Sequence, residues 1–371
     1  TWDFFMTTHF QWMRRALHLA SKGRGFTSPN PMVGAVLVKN HQIIGEGYHE
    51  KFGGPHAEVM ALRQAGDKAK GATLYVTLEP CSHRGKTPPC APQVINAGVS
   101  KVYISMTDPN PLVNQNGIRM LENAGVKVYT GLLEKEARNL NRGFISLMEK
   151  KRPWITLKMA QTADGYIADL SGKSQWITSP PAREFVMSQR ALHDGIMVGL
   201  GTVLKDNPGL LPAKRDAYIP WRIILAETLK MPDSLKILTD DYTQRTMILT
   251  RENAEPERLK YLTDRGLKVL TIPEDSAGKV SIPKALDMLG EQGITSVFCE
   301  GGGQIAGALI REGLCDELQL FVAPKVLGQG LPVFGGFAKN LDQAVRLKWE
   351  DIQRIGPDLL VRGRLDSCLQ D

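Results

Sequence analysis

The chain has 371 residues, room for two or three domains of ordinary size. With 42% apolar and 23% charged residues it can build cores, which excludes wholesale disorder. The net charge of +7 sits in the front: residues 1–150 carry 18 basic and 11 acidic side chains and six of the seven histidines, whereas residues 151–371 carry 28 of each charge.

Translation is expected to begin at Met6, with residues 1–5 foreign to the native chain; this start lacks the charged, apolar and small-residue stretches of a signal peptide. Phe10, Met13, Ala16, Leu17 and Ala20 fall at helical spacing, predicting an amphipathic helix over 10–22 that Ser28-Pro29-Asn30-Pro31 breaks. Residues 33–39 and 42–47 predict a hairpin about Asn40-His41. Next come a helix over about 57–65, a strand over 73–78 and a Pro/Gly loop from Cys81 to Cys90. Strands at 101–106 and 126–130 flank a helix near 115–124, and a helix over 134–149 closes the half. This alternation predicts a layered α/β domain.

Lys150-Lys151-Arg152-Pro153 marks the boundary, since Pro153 ends a helix and a strand-like run over 154–160 begins at once. The domains are therefore expected at 6–150 and 151–371. Strands are predicted at 195–199, 221–225, 246–250, 267–272, 295–299 and 316–323, and helices at 181–192, 256–265, 282–291 and 304–312. No stretch approaches the ~20 apolar residues of a membrane span, and no Lys/Arg run forms a nucleic-acid tail or polybasic anchor. Five irregularly spaced cysteines argue against a disulfide scaffold and for a reduced, cytoplasmic setting.

The strongest local signal is His56-Ala57-Glu58 followed by Pro80-Cys81 and Cys90. One His and two Cys leave a tetrahedral zinc with one open position, the mark of a catalytic ion. Glu58, two residues after His56 at a helix start, can reach the same pocket without ligating. Zinc lowers the pKa of its water to ~7, and Glu58 can then carry the proton to a leaving amine. This is the zinc-deaminase signature. A lone His-x-Glu or two loop thiols mean little separately; a structural zinc would need a fourth ligand, with only His49 and His83 near. The Cys pair departs from C-x-x-C, and its insertion brings His83, Arg84 and Lys86 beside the metal, cations and donors that suit a phosphate or polar heterocycle.

In the back half, Cys299-Glu300 ends a strand, Gly301-Gly302-Gly303 follows, and a helix begins. Strand, glycine turn and helix N-terminus form a cradle for an anion. Gly199-Leu200-Gly201-Thr202 is a second such turn.

Asn30-Pro31-Met32-Val33-Gly34, His56-Ala57-Glu58-Val59, the run from Thr77 to Cys90 ending Thr87-Pro88-Pro89-Cys90, and Asp108-Pro109-Asn110-Pro111 resemble the deaminase half of the bifunctional riboflavin-biosynthesis deaminase–reductase family. Lys158-Met159-Ala160, Asp164-Gly165, Ser174-Gln175-Trp176, Gly201-Thr202-Val203, Asp206-Asn207-Pro208 and Glu300-Gly301-Gly302 resemble its reductase half. The resemblance implies an α/β chain: a cytidine-deaminase-like α/β/α domain, then a dihydrofolate-reductase-like α/β domain. It implies zinc-dependent deamination of 2,5-diamino-6-ribosylamino-4(3H)-pyrimidinone 5′-phosphate, then NADPH reduction of the ribosyl group of 5-amino-6-(5-phosphoribosylamino)uracil to ribityl. His56, Cys81 and Cys90 would hold Zn2+ and Glu58 would shuttle the proton. Asn30 would bond the pyrimidine, with His49, His83 and Lys86 on the sugar–phosphate side. Ala160, Trp176, Thr202, Asp206 and the turn Gly302, Gly303, Gln304, Ile305, Ala306, Gly307 and Ala308 would meet NADPH. Ser174, Arg190, Leu210 and Glu300 would meet the reductase substrate, and Lys158 or Glu300 would assist proton transfer. A small phosphorylated pyrimidine, rather than nucleic acid or a membrane, is the expected partner, and a homo-oligomer the expected state.

Two stretches depart from the family. Leu211-Pro212-Ala213 replaces Thr-x-Arg, with Lys214-Arg215 one step later, and Ala226-Glu227-Thr228 puts a carboxylate where a cofactor-side hydroxyl is expected. Two alternatives therefore stand beside the main reading: a deaminase with a weakened reductase half, and a nucleic-acid base deaminase with an RNA-binding back half. The neutral charge balance of residues 151–371 speaks against the second.

Overall fold

Asn40 (φ 50°) and His41 (φ 60°), consecutive residues in the left-handed region, turn β1 (Gly34–Lys39) into β2 (Gln42–Tyr48), the hairpin their sequence predicts. The computed structural model describes residues 2–83, 88–110, 114–214, 218–336 and 340–365, and the chain divides into two units, Thr1–Lys151 and Arg152–Asp371.

In the front unit α1 (Trp2–Ser21) precedes the hairpin, and α2 (Ala57–Ala65), β3 (Thr73–Leu78), α3 (Cys90–Asn96), β4 (Lys101–Met106), α4 (Asn116–Asn123) and β5 (Lys127–Thr130) follow it. The sheet order is β2-β1-β3-β4-β5, with β1 antiparallel to both neighbours and β3, β4 and β5 parallel. The period of two along β1 makes two cores. Val36 and Val38 pack with Met13 and Ala16 of α1, while Ala35 and Leu37 pack with Ala57 and Ala61 of α2. This is the expected three-layer domain. The depth of α2 is set by Gly47, where a Cβ would lie 2.4 Å from the Ala57 carbonyl oxygen; the helix rests backbone-to-backbone on β2 and delivers His56 and Glu58 at its N-terminus.

The helix expected over 134–149 is two, α5 (Glu134–Leu140) and α6 (Arg142–Lys150). The break is Asn141, whose amide accepts from Met32 N–H (2.8 Å) and donates to the Met32 carbonyl (3.0 Å).

The back unit runs β6 (Trp154–Thr162), β7 (Tyr166–Ala168), α7 (Pro180–Arg190), β8 (Gly195–Gly199), α8 (Leu200–Asp206), β9 (Trp221–Ala226), α9 (Lys236–Thr239), β10 (Thr246–Arg251) and α10 (Pro256–Asp264). It continues with β11 (Lys268–Ile272), α11 (Ile282–Glu291), β12 (Ser296–Cys299), α12 (Gly303–Arg311), β13 (Glu317–Ala323), β14 (Leu331–Pro332), β15 (Leu347–Ile355) and β16 (Asp358–Leu365). Nine strands form one sheet, β11-β10-β9-β8-β12-β6-β13-β16-β15, parallel from β11 to β13 and antiparallel beyond. Cores lie on both faces, one holding Leu157, Ile223 and Leu309, the other Ile224, Phe298 and Phe321. Sequence patterning missed the β15–β16 hairpin: β15 is an edge strand with little of either face buried, so it shows no apolar alternation.

Candidate functional site

His56 is the N-cap of α2 and Glu58 lies in its first turn; Cys81 follows β3, and Cys90 opens α3 after Pro89. The two ends of the segment between the cysteines meet. Cys90 and Ala91 N–H both donate to the Cys81 carbonyl at 3.0 Å, which brings the second thiol back to the first. His56 Nδ1 stands 3.6 Å from Cys81 Sγ and 3.3 Å from Cys90 Sγ, and all three atoms lie within 4.8 Å of one another. Ligands of one tetrahedral zinc stand about 3.5 Å apart, so the donor set and its spacing fit that ion.

The electrostatics are those of a centre built for proton movement. The hydrogen bond from Cys90 and the neighbouring His56 hold Cys81 down to about 4, while Cys81 and burial push the Cys90 thiol up. Burial, then the Cys81 charge, push Glu58 up to about 7. Its carboxyl is 3% exposed and borders a cavity of about 300 Å³ together with Asn30, His49, His56, His83 and Asp108. Lys86 and Arg84 lie outside the described residues.

Two features of this cavity were not legible in the sequence. His49, expected on the sugar–phosphate side, has both ring nitrogens engaged: Nδ1 lies 3.0 Å from the Pro55 carbonyl and Nε2 lies 3.1 Å from Asn30 Nδ2. Glu79, quoted only as part of a motif, is buried and collects four backbone N–H groups. Oε2 accepts from Asp108 (3.3 Å) and Gln115 (3.0 Å), and Oε1 from Gly117 (3.0 Å) and Ile118 (3.4 Å). It thereby holds the cavity wall carrying Asp108, whose carboxyl burial pushes up to about 6.

In the back unit the two glycine turns come side by side, because β8 and β12 are adjacent and parallel and both turns leave their C-terminal ends. A Cβ on Gly302 would lie 3.9 Å from Thr202 Oγ1. Such a crevice at strand C-termini, with a helix N-terminus facing it, is where α/β sheets bind anionic ligands. Arg190 is paired with Glu300 through Nε–Oε1 (2.6 Å) and Nη2–Oε2 (3.0 Å), and its Nη1 donates to the Leu211 carbonyl (2.9 Å). Burial pushes the Lys158 ammonium down, and Glu300 draws it partly back. The fully buried Arg222 grips Asp240 through two hydrogen bonds (2.6 and 2.9 Å) and also donates to the Gly209 carbonyl (3.3 Å).

Several expected contacts are narrower than the sequence suggests. Leu210 (φ 51°) buries its side chain in the core, so only its backbone can meet a ligand. Ala306 is also in the core, and Gly307 is covered: a Cβ there would lie 1.7 Å from the Gly335 carbonyl oxygen. Trp176 is 61% exposed with the Arg183 guanidinium 4.3 Å above its ring, which rules out a core aromatic. Asp206 accepts from Gln175 Nε2 at 3.3 Å. Glu227 turns away from the crevice side, its Oε2 accepting from Val280 N–H at 2.9 Å. Ser174 is half-buried, Lys214 is exposed, and Arg215 lies outside the described residues.

Comparison with known proteins accounts for both units. Residues 6–106 match the cytidine and deoxycytidylate deaminase zinc-binding region, and residues 153–361 match the RibD C-terminal domain. The chain belongs to the RibD family of riboflavin biosynthesis proteins. The RibD protein of Aquifex aeolicus is 42% identical over 94% of this chain and 96% of its own, and that of Escherichia coli 43% identical over 94% and 97%. The Acinetobacter baumannii RibD structure superposes with a TM-score of 0.87 at 38% identity, covering 97% of this chain and 99% of its own. A Thermotoga maritima structure described as a diaminohydroxyphosphoribosylaminopyrimidine deaminase/5-amino-6-(5-phosphoribosylamino)uracil reductase gives 0.85 at 36%, covering 97% and 99%.

RibD membership makes the chain an enzyme with deaminase and reductase activities acting on pyrimidines, with zinc and NADPH as cofactors. An RNA-binding back half gives way to the RibD C-terminal domain. Among the described residues no helix is long and apolar enough to cross a membrane.

Proposed function

We propose that the front unit deaminates 2,5-diamino-6-ribosylamino-4(3H)-pyrimidinone 5′-phosphate and that the back unit reduces the ribosyl group of the product to ribityl. The observation that carries the first step is a buried carboxyl, Glu58, beside His56, Cys81 and Cys90 on one cavity. His56 Nδ1 and the two sulfurs would hold zinc, which when bound supplies the Lewis acidity that activates water. Glu58 takes the proton of the attacking water and returns it to the departing amine, as the C–O bond forms and the C–N bond breaks. Held near 7, it can serve in both directions at neutral pH. The basic excess of residues 1–150 draws in the anionic substrate.

In the back unit the glycine turns and Thr202 would hold NADPH, which when bound supplies the hydride. Lys158 provides the proton that completes the reduced sugar, and the Arg190–Glu300 pair positions the substrate beside it. Glu227's turn toward Val280 supports an intact reductase, since it removes the carboxylate that would oppose a nucleotide phosphate. The enzyme acts in the cytoplasm as a homo-oligomer on a small molecule, a state that light scattering would measure. The deciding experiment follows ammonia release and NADPH consumption on the diaminopyrimidine phosphate. Glu58→Gln should stop ammonia release while sparing reduction of the deaminated compound; ammonia release surviving that change would overturn the assignment.

A further inference from the structure

Residues 174–179, between β7 and α7, belong to no helix or strand, so side-chain bonds decide their course. They form a strap tied at its root and at its middle. At the root, Ser179 N–H and Oγ donate to Asp358 Oδ2 (2.9 and 2.5 Å), and Arg183 Nη1 donates to the Thr178 carbonyl (2.8 Å). At the middle, Gln175 Nε2 donates to Asp206 at the end of α8 (3.3 Å), and Lys325 Nζ donates to the Trp176 carbonyl (2.6 Å). α8 follows β8, Lys325 stands two residues past β13, and β12 and β6 lie between those strands in the sheet. Gln175-Trp176 is therefore slung across the strand ends where the crevice opens. The Trp176 indole is 61% exposed with the Arg183 guanidinium over it, so core packing does not hold this residue. Lys325, by contrast, reaches from a fixed backbone. Its carbonyl accepts from Ala163 N–H (2.7 Å), and just beyond it Asp164 Oδ2 accepts from Leu327 and Gly328 N–H (2.9 and 2.7 Å). Asp164 thus seats the loop from which the ammonium extends.

We infer that Lys325 is a positioning residue of the reductase: its grip on the Trp176 carbonyl holds residues 174–179 across the crevice in the form that receives NADPH. A strap already in place need not be ordered when the cofactor binds. Without the grip only a fraction of molecules would carry the strap in place, and the apparent affinity for NADPH would fall by that fraction. The loss is one of binding, since a bound molecule has its strap in place however it came to be there. Lys325 works on a backbone carbonyl, which any residue at position 176 would supply. The inference rests on the reductase reading of the back unit and adds to it a residue that lies outside the glycine turns.

Two measurements on the full chain test it. In the ligand-free protein, hydrogen–deuterium exchange read by mass spectrometry should be faster in the peptide covering 174–179 for Lys325→Met than for wild type, with the strands of the back unit unchanged. Lys325 is exposed, so the change should leave the fold intact. Unchanged exchange in that peptide would overturn the inference even if NADPH binding weakened, because a lysine that met the cofactor directly would leave the free strap as it was. In steady-state NADPH oxidation with the deaminated substrate, Lys325→Met should raise KM for NADPH about tenfold, the worth of one charge-assisted hydrogen bond, with kcat little changed. A fall in kcat at constant KM, or no change in either, would refute the positioning role. If the wild-type protein oxidises no NADPH, the reductase reading fails, while the exchange result still decides whether Lys325 holds the strap.

Discussion

Arg15 of α1 and Glu46 of β2 meet in a bidentate pair, Nε to Oε1 at 2.6 Å and Nη2 to Oε2 at 2.8 Å. The hydrogen bonds from Arg15 hold the Glu46 carboxyl below its ordinary range. A depressed carboxylate contributes stability that is present above its unfolded pKa and is lost as pH falls through its folded one. Both side chains are partly exposed, so the contribution is at most about 1 kcal/mol. Glu46→Gln should lower the urea-unfolding free energy of the front unit by that amount at pH 7, with the gap to wild type closing in acid. A gap that stays constant with pH would refute the electrostatic origin.

Glu300→Gln separates the two activities. It leaves the Arg190 guanidinium poorly solvated and without its counter-charge, a change on the order of 3 kcal/mol for a buried pair. It also removes the charge that draws the Lys158 ammonium back toward its normal range. NADPH oxidation with the deaminated substrate should fall more than about tenfold while ammonia release is unchanged.

Gly307 and Thr202 separate packing from cofactor contact. A Cβ at Gly307 strikes the backbone of Gly335, so Gly307→Ala should cost ~1–3 kcal/mol of back-unit stability. Thr202→Ala should instead raise KM for NADPH with little change in Tm. Calorimetry paired with NADPH titration reads both.

Metal removal should silence one half only. Chelation should abolish ammonia release and spare NADPH oxidation of the deaminated compound. Returning zinc should release protons, because the Cys90 thiol, pushed up beside Cys81, must ionise to ligate. A pH-indicator titration in weak buffer should show acidification that Cys90→Ser diminishes.

Local rules made much of this molecule readable. The hairpin over 33–39 and 42–47 about Asn40-His41 and the helical spacing of Met13, Ala16 and Ala20 reported their elements directly, and His56, Cys81 and Cys90 are residue types with little other reason to assemble. What could not be read depends on partners far along the chain. The break at Asn141 is caused by Met32, more than one hundred residues earlier. Arg222, in an ordinary-looking strand, is fully buried because Asp240, Thr246 and the carbonyls of Gly209 and Ile237 close around it, a convergence no spacing encodes. Gly301, Gly303 and Ala306 match the G-x-G-x-x-A dinucleotide fingerprint in letters, yet Ala306 lies in the core and the next residue, Gly307, is covered by Gly335.

The carboxylate of Glu79 stands two residues before Cys81 in the chain and takes N–H groups from both Asp108 and Gly117. Through Glu79 the segment that carries Cys81 and the cavity wall that carries Asp108 are pinned to a single carboxylate.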